Sequence, residues 1–175
     1  MHSLQILWWT FFDICRLRVR PQDLPASSVL LNLTLFFYAL TSAVSSLLQQ
    51  FSLKQAILSG IVDAGLLVGL TYTLLYFARY LPRVTQTLTA LAGTNGVLGI
   101  LSLPLIFWLE QNRAYHSDIT LPVLLLLSLF VWNFIVYAHI LRHALTVHFF
   151  IGLLLTTVTY SITVKILTQL FPLAP

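Results

Sequence analysis

The 175-residue chain is 58% hydrophobic and only 8% charged, with a formal net charge of +4. Soluble domains carry about 25% charged residues, so this chain has too little polar surface to cover itself in water. Much of its exterior is expected to face lipid, and its one cysteine, Cys15, excludes an internal disulfide.

The first element is an aromatic-rich start, LWWTFFDIC (7–15), followed by Arg16, Arg18 and Arg20. Its positive charge comes after the apolar residues and no small-residue cleavage site follows, so no cleavable signal peptide is expected. At ~100° per residue, Leu4, Leu7, Trp8, Phe11, Phe12, Ile14 and Cys15 share one helix face. Gln5, Thr10, Asp13, Arg16 and Arg20 fall opposite, while Trp9, Ile6 and Leu17 blur the boundary. The pattern predicts an amphipathic interfacial helix over 1–20, lying in the cytoplasmic headgroup layer with its arginines on anionic lipid. The competing reading is an aromatic N-terminus packed on the bundle. A linker follows over 21–27, where Pro21 and Pro25 disfavour helix before them and Ser27 or Ser28 can cap what comes next.

A spanning helix needs ~20 apolar residues. Five stretches qualify, at roughly 28–48, 56–78, 87–109, 121–141 and 148–171. The links between them are too short to hold a domain, so 28–175 reads as one five-helix transmembrane bundle and the fold class as all-α membrane protein. A four-span alternative makes the third stretch re-entrant, because it holds Gly93, Asn95, Gly96 and Gly99. With the N-terminus inside, the inner segments hold Arg16, Arg18, Arg20, Arg79, Arg83 and Arg142, and the outer loops only Lys54 and Arg113. That bias predicts a cytoplasmic N-terminus and an outer C-terminus, in the cell (inner) membrane.

Ionisable residues inside spans are functional candidates by default. Asp63 in the second span and Lys165 in the fifth come out ~10 and ~9 Å below the outer surface. Their matching depth predicts an ion pair. Lysine snorkelling or an ion pathway through Asp63 are the competing readings. Asn95 and Asn133 both come out ~12 Å from the inner side, which predicts an amide hydrogen bond between spans three and four. Small residues mark close helix contacts: Gly60, Gly65 and Gly69 in span two, and Gly93, Gly96 and Gly99 in span three. They predict that these two spans form the centre of the bundle or a face for a partner.

His139 and His143 share a helix face near His148 and are weak candidates for a metal site, since no carboxylate accompanies them. The bland reading is interfacial histidines beside Arg142. Tyr72, Tyr76 and Tyr80, and across the bilayer Trp108 and Tyr115, read as interface anchors. No phosphate-binding loop, nucleophile elbow or acid pair is present, so neither catalysis nor a cofactor is expected. Basic residues among aromatics can suggest nucleic acid, but beside membrane spans the nearer anion is lipid.

The stretch VWNFIVYAHILRHALTVHFFIGLLLTTVTYSI (131–162) resembles the last two spans of the Yip (Ypt-interacting protein) family in its bacterial branch: a tryptophan, a short basic break, then a helix of small and apolar residues. TALAGTNGVLGILSLPL (89–105) is similar to that family's third span. The resemblance implies a cytoplasmic N-terminal segment with a proline-containing turn before five spans, and it carries over no catalytic residues. The expected role is an accessory subunit, assembly factor or scaffold with other membrane subunits and lipid as partners. The alternative is a small transporter or channel using Asp63 and Lys165.

Overall fold

The computed structural model describes residues 10–18 and 21–172. Among these the long elements are α1 (Ser28–Leu48), α2 (Leu53–Phe77), α3 (Val84–Ala114), α4 (Thr120–Leu145) and α5 (Phe149–Leu170), with 3-10 turns at Pro21–Asp23 and Leu81–Arg83. All five helices are long and apolar enough to cross a membrane. The third is unbroken over 31 residues, so the re-entrant alternative falls.

The helix ends explain how such short links suffice. Ser27 Oγ accepts the Leu30 N–H at the start of α1. Ser52 and Gln55 form a reciprocal capping box on α2. Beyond the C-terminal ends, Leu17, Gln50, Arg79, His116 and Thr146 all adopt the left-handed conformation, with φ between 51° and 69°. In each case the next N–H closes onto the carbonyl five residues back, as in Arg18→Asp13, Phe51→Ser46 and Val147→Arg142. This is the Schellman stop that glycine usually provides. Here none of the stops is glycine, although the left-handed region costs other residues roughly 1 kcal/mol or more. All seven glycines instead lie inside the spanning helices, where a missing side chain lets backbones approach.

That use of glycine sets the packing. Helix α3 is the centre and is buried on every side from Thr87 to Leu98. Helices α1 and α4 pack on it, α2 leans on α1, α5 leans on α4, and α2 meets α5. Gly60 lies against the Ala39 carbonyl and Ala43 of α1, Gly96 against the Phe37 ring and Gly99 against Thr41. The second span, expected at the centre, is peripheral. A Cβ at Gly65 or Gly69 would meet nothing within 4 Å, so those two glycines make no packing contact within the chain.

The N-terminal segment is the larger departure from expectation. Residues 10–15 are helical, and of the described residues on the expected apolar face Phe11, Ile14 and Cys15 are buried against protein while Phe12 stays exposed. Phe11, Ile14 and Cys15 are buried in one core with Leu91, Val136 and Ile140. The Phe11 ring fills the space left by Gly93, nine residues or ~14 Å into α3. The Trp132 indole donates to the Cys15 carbonyl at 3.1 Å. An aromatic face facing a glycine gap gains close contact that mobile lipid tails cannot supply. Residues 21–24 are stapled on behind it: Gln22 Nε2 donates to the His143 carbonyl at 2.7 Å, and Gln86 Nε2 to the carbonyls of Gln22 (3.1 Å) and Leu24 (2.8 Å). Trp8, Trp9 and Arg20, also expected at the interface, lie outside the described residues.

Ile14→Ala is therefore expected to destabilise the bundle by about 2 kcal/mol, the packing share of a large-to-small core substitution. Unfolding in detergent measures it. A segment lying in headgroups would leave the transition where it is.

The arginines divide between two roles. Arg16, Arg18 and Arg79 are exposed. Arg83 instead caps the end of α4, donating to the carbonyls of Ala144 (3.0 Å) and His143 (3.5 Å). Arg142 lies 5.7 Å over the Phe149 ring. Residues 21–24, Arg79, Arg83 and Arg142 thus mark one end of the bundle, the arginine end. Lys54, the Tyr115–Ile119 link and Phe171 mark the other, the Lys54 end.

Candidate functional site: a polar chamber inside the bundle

Span one carries a stripe of polar residues at helical spacing: Tyr38, Thr41, Ser42, Ser45, Ser46 and Gln49. In an apolar environment such a stripe turns inward, and here it meets α2. The Tyr38 hydroxyl donates to Asp63 Oδ2 at 2.7 Å and Ser42 Oγ to the same oxygen at 2.8 Å. Ser46 and Ser59 share a hydrogen bond at 2.9 Å one turn further on. Close approach at Gly60 holds the two helices near enough for these bonds.

Asp63 lies on the wall of a cavity of about 390 Å³ lined from all five helices, including Ser102, Asn95, Asn133, Phe130 and Tyr160. A second cavity of about 200 Å³ adjoins it and shares Tyr38, Asp63, Asn95 and Tyr160. Tyr160, on the wall of both, packs in an aromatic cluster 5.7 Å from Phe130, 5.6 Å from Phe134 and 5.5 Å from Tyr137. The chamber occupies the middle of the bundle and its Lys54-end half. Toward the arginine end, the packed core around α3 and the N-terminal segment fills the space.

The Asp63–Lys165 pair does not form. Among the described residues the one salt bridge is Arg113–Glu110, and Lys165 is exposed. Depth is the cause. Helix α2 begins at Leu53 and not at residue 56, so Asp63 lies ten residues or ~15 Å in, whereas Lys165 lies five residues or ~8 Å from the end of α5. A lysine that shallow, with a long stem, reaches the headgroups more easily than a distant carboxylate.

Asn95 and Asn133 are level, as expected, and line the same cavity. They do not bond to each other. Each Oδ1 is buried without a hydrogen-bond partner, and Asn95 is 8% exposed.

The histidines do not gather. His139 and His143 contact edge to face with centroids 4.5 Å apart, His143 Nε2 lies 3.2 Å from Arg142 Nη2, and His148 caps α5. Among the described residues no three His, Cys, Asp or Glu side chains are grouped to hold a metal. Tyr72 and Tyr76 stack on the exposed face of α2 at 6.4 Å, and Trp108 and Tyr115 are exposed, as anchors should be. Cys15 is buried, and that burial pushes its thiol up to about 12, which leaves it unreactive at neutral pH.

The class of protein so defined is an all-α, multi-pass bundle with a polar cavity between its helices. No family model, curated protein or solved structure matches the chain.

Proposed function

We propose that this chain is a non-enzymatic membrane protein that takes a small polar solute into its chamber from the Lys54 end. This is the transport or binding reading of the sequence, with Asp63 kept and Lys165 removed. One observation carries it: the Asp63 carboxylate and two asparagines, each with its amide oxygen buried without a partner, line one cavity within an apolar bundle. Buried polar atoms are satisfied almost everywhere in folded proteins, so a void with such walls holds water or a polar occupant. Intramembrane acids that face a cavity mark solute or ion pathways more than structure. The arginine bias makes the arginine end cytoplasmic, so the chamber faces the outside of an inner membrane.

The test uses accessibility. With Cys15 silent, the Ser102→Cys thiol is expected to react with a small water-soluble methanethiosulfonate in proteoliposomes, while the Leu91→Cys thiol, in the packed core, does not. Equal protection of the two thiols overturns the reading.

The accessory-subunit reading keeps one observation of its own. Gly65 and Gly69 form a small-residue step on α2 with nothing packed on it, as a partner helix requires.

A further inference from the structure

We propose that the occupant of the chamber is a small organic ammonium ion, held by the Asp63 carboxylate against the ring wall of Tyr38, Phe130 and Tyr160. The proposal rests on the chamber being open to solutes.

Charge comes first. Among the described residues no lysine, arginine or histidine lines either cavity, and none lies within salt-bridge distance of Asp63. A carboxylate ~15 Å inside a helix bundle has a large cost unless it takes up a proton or a cation offsets it, and the cation is the offset that a cavity beside it provides for. Anions are excluded by the same wall. A zwitterion would find no cationic partner for its acid group.

Hydrogen bonding points the same way. Five hydroxyls on the wall already donate within the bundle: Thr41 to the Phe37 carbonyl at 2.8 Å, Ser45 to the Thr41 carbonyl at 2.9 Å, Ser102 to the Gly99 carbonyl at 2.6 Å, and Tyr38 and Ser42 to Asp63. What these groups present to the void is lone pairs. Asn95 and Asn133 line the same wall, each with its Oδ1 buried without a partner. The one charged group on this wall, the Asp63 carboxylate, is an acceptor, and its complement is a donor or a positive charge.

Size and the opposite wall choose among cations. A bare calcium-sized ion is gripped by about six to eight oxygens at roughly 2.3–2.6 Å, whereas this void is about 390 Å³ and six of its fourteen lining residues are leucine or aromatic. An ammonium with an apolar body satisfies both halves, its charge over ring faces and beside the carboxylate. The headgroup ammonium of a lipid is a poor fit at this depth, and its phosphate would lack a partner.

The experiment is calorimetric titration of the purified full chain in a sugar detergent. The probes are choline and its neutral isostere 3,3-dimethylbutan-1-ol. Choline is expected to bind saturably to the native chain and to Lys165→Met. Asp63→Asn keeps an acceptor for Tyr38 and Ser42 but not the charge, and is expected to weaken choline about thirtyfold or more, the low end for losing one partner of a buried charge pair. The isostere is expected to bind comparably weakly. Isostere binding equal to choline, or unchanged choline affinity in Asp63→Asn, overturns the ammonium assignment and leaves a chamber for neutral solutes. No binding by either probe while the Ser102→Cys thiol reacts also overturns it. No binding with that thiol protected overturns the open chamber itself.

Discussion

Gly60→Leu is expected to lower the stability of the bundle by about 3 kcal/mol, the upper part of the usual overpacking range, or roughly a hundredfold in the ratio of folded to unfolded chain. The Cβ would collide with the Ala39 carbonyl, which is helix backbone and cannot swing aside, and would press on Ala43. Helices α1 and α2 must then part. Parting them also stretches the bonds from Tyr38 and Ser42 to Asp63 and the Ser46–Ser59 bond. Gly69→Leu is the control: nothing stands within 4 Å of its Cβ position, so the unfolding transition is expected to stay put. Any partner helix seated on α2 that co-purifies in mild detergent is expected to be lost with this variant. Denaturant titration and co-purification of the two variants separate contacts within the chain from contacts between chains. Equal destabilisation by both would contradict the placement of α2 at the edge.

The second large effect concerns Asp63→Leu, where stability and function are expected to move apart. A purely structural carboxylate would take stability with it when removed. Here two opposing terms meet. The leucine strands the Tyr38 hydroxyl, at a cost of about 1–3 kcal/mol for an unsatisfied buried donor, though membrane interiors soften it toward ~0.6 kcal/mol per bond. Ser42 escapes, because it can turn to the carbonyl four residues back as Ser45 and Ser46 already do. Against this, replacing a buried charge by an apolar side chain is often neutral or stabilising by roughly 1–4 kcal/mol. The second term wins or balances. Asp63→Leu is expected to unfold at or above the native midpoint while choline binding vanishes. A drop in stability of more than about 3 kcal/mol, beyond the cost of the stranded hydroxyl, would show that the carboxylate is there to hold α1 on α2.

Much of the candidate site was legible in the residues. The polar stripe from Tyr38 to Gln49 repeats at helical spacing within an apolar span, and it names the face that Asp63 meets. That stripe was the missed signal, since attention to charged residues alone pairs Asp63 with Lys165. Gly152, which sits against the Ala138 carbonyl and Arg142, was missed because no glycine or alanine stands four away to mark it. The chamber itself was not legible. Voids arise from how five helices share one space, and residue types on a single helix do not encode a gap between two others.

The sequence by itself determined the solvent, the number of spans, the asymmetry of arginine between the two ends, and which residues are too costly to leave facing lipid. These follow from the length of an apolar run and the price of a charge in hydrocarbon, both local quantities. Only the tertiary structure decided that α3 and not α2 is central, that the aromatic N-terminus fills the gap at Gly93, and that Asp63 turns to two hydroxyls and a cavity in place of Lys165. Those outcomes depend on depths and separations that a few residues of helix length shift by several ångströms, and hydrogen bonds and side-chain contacts do not stretch that far.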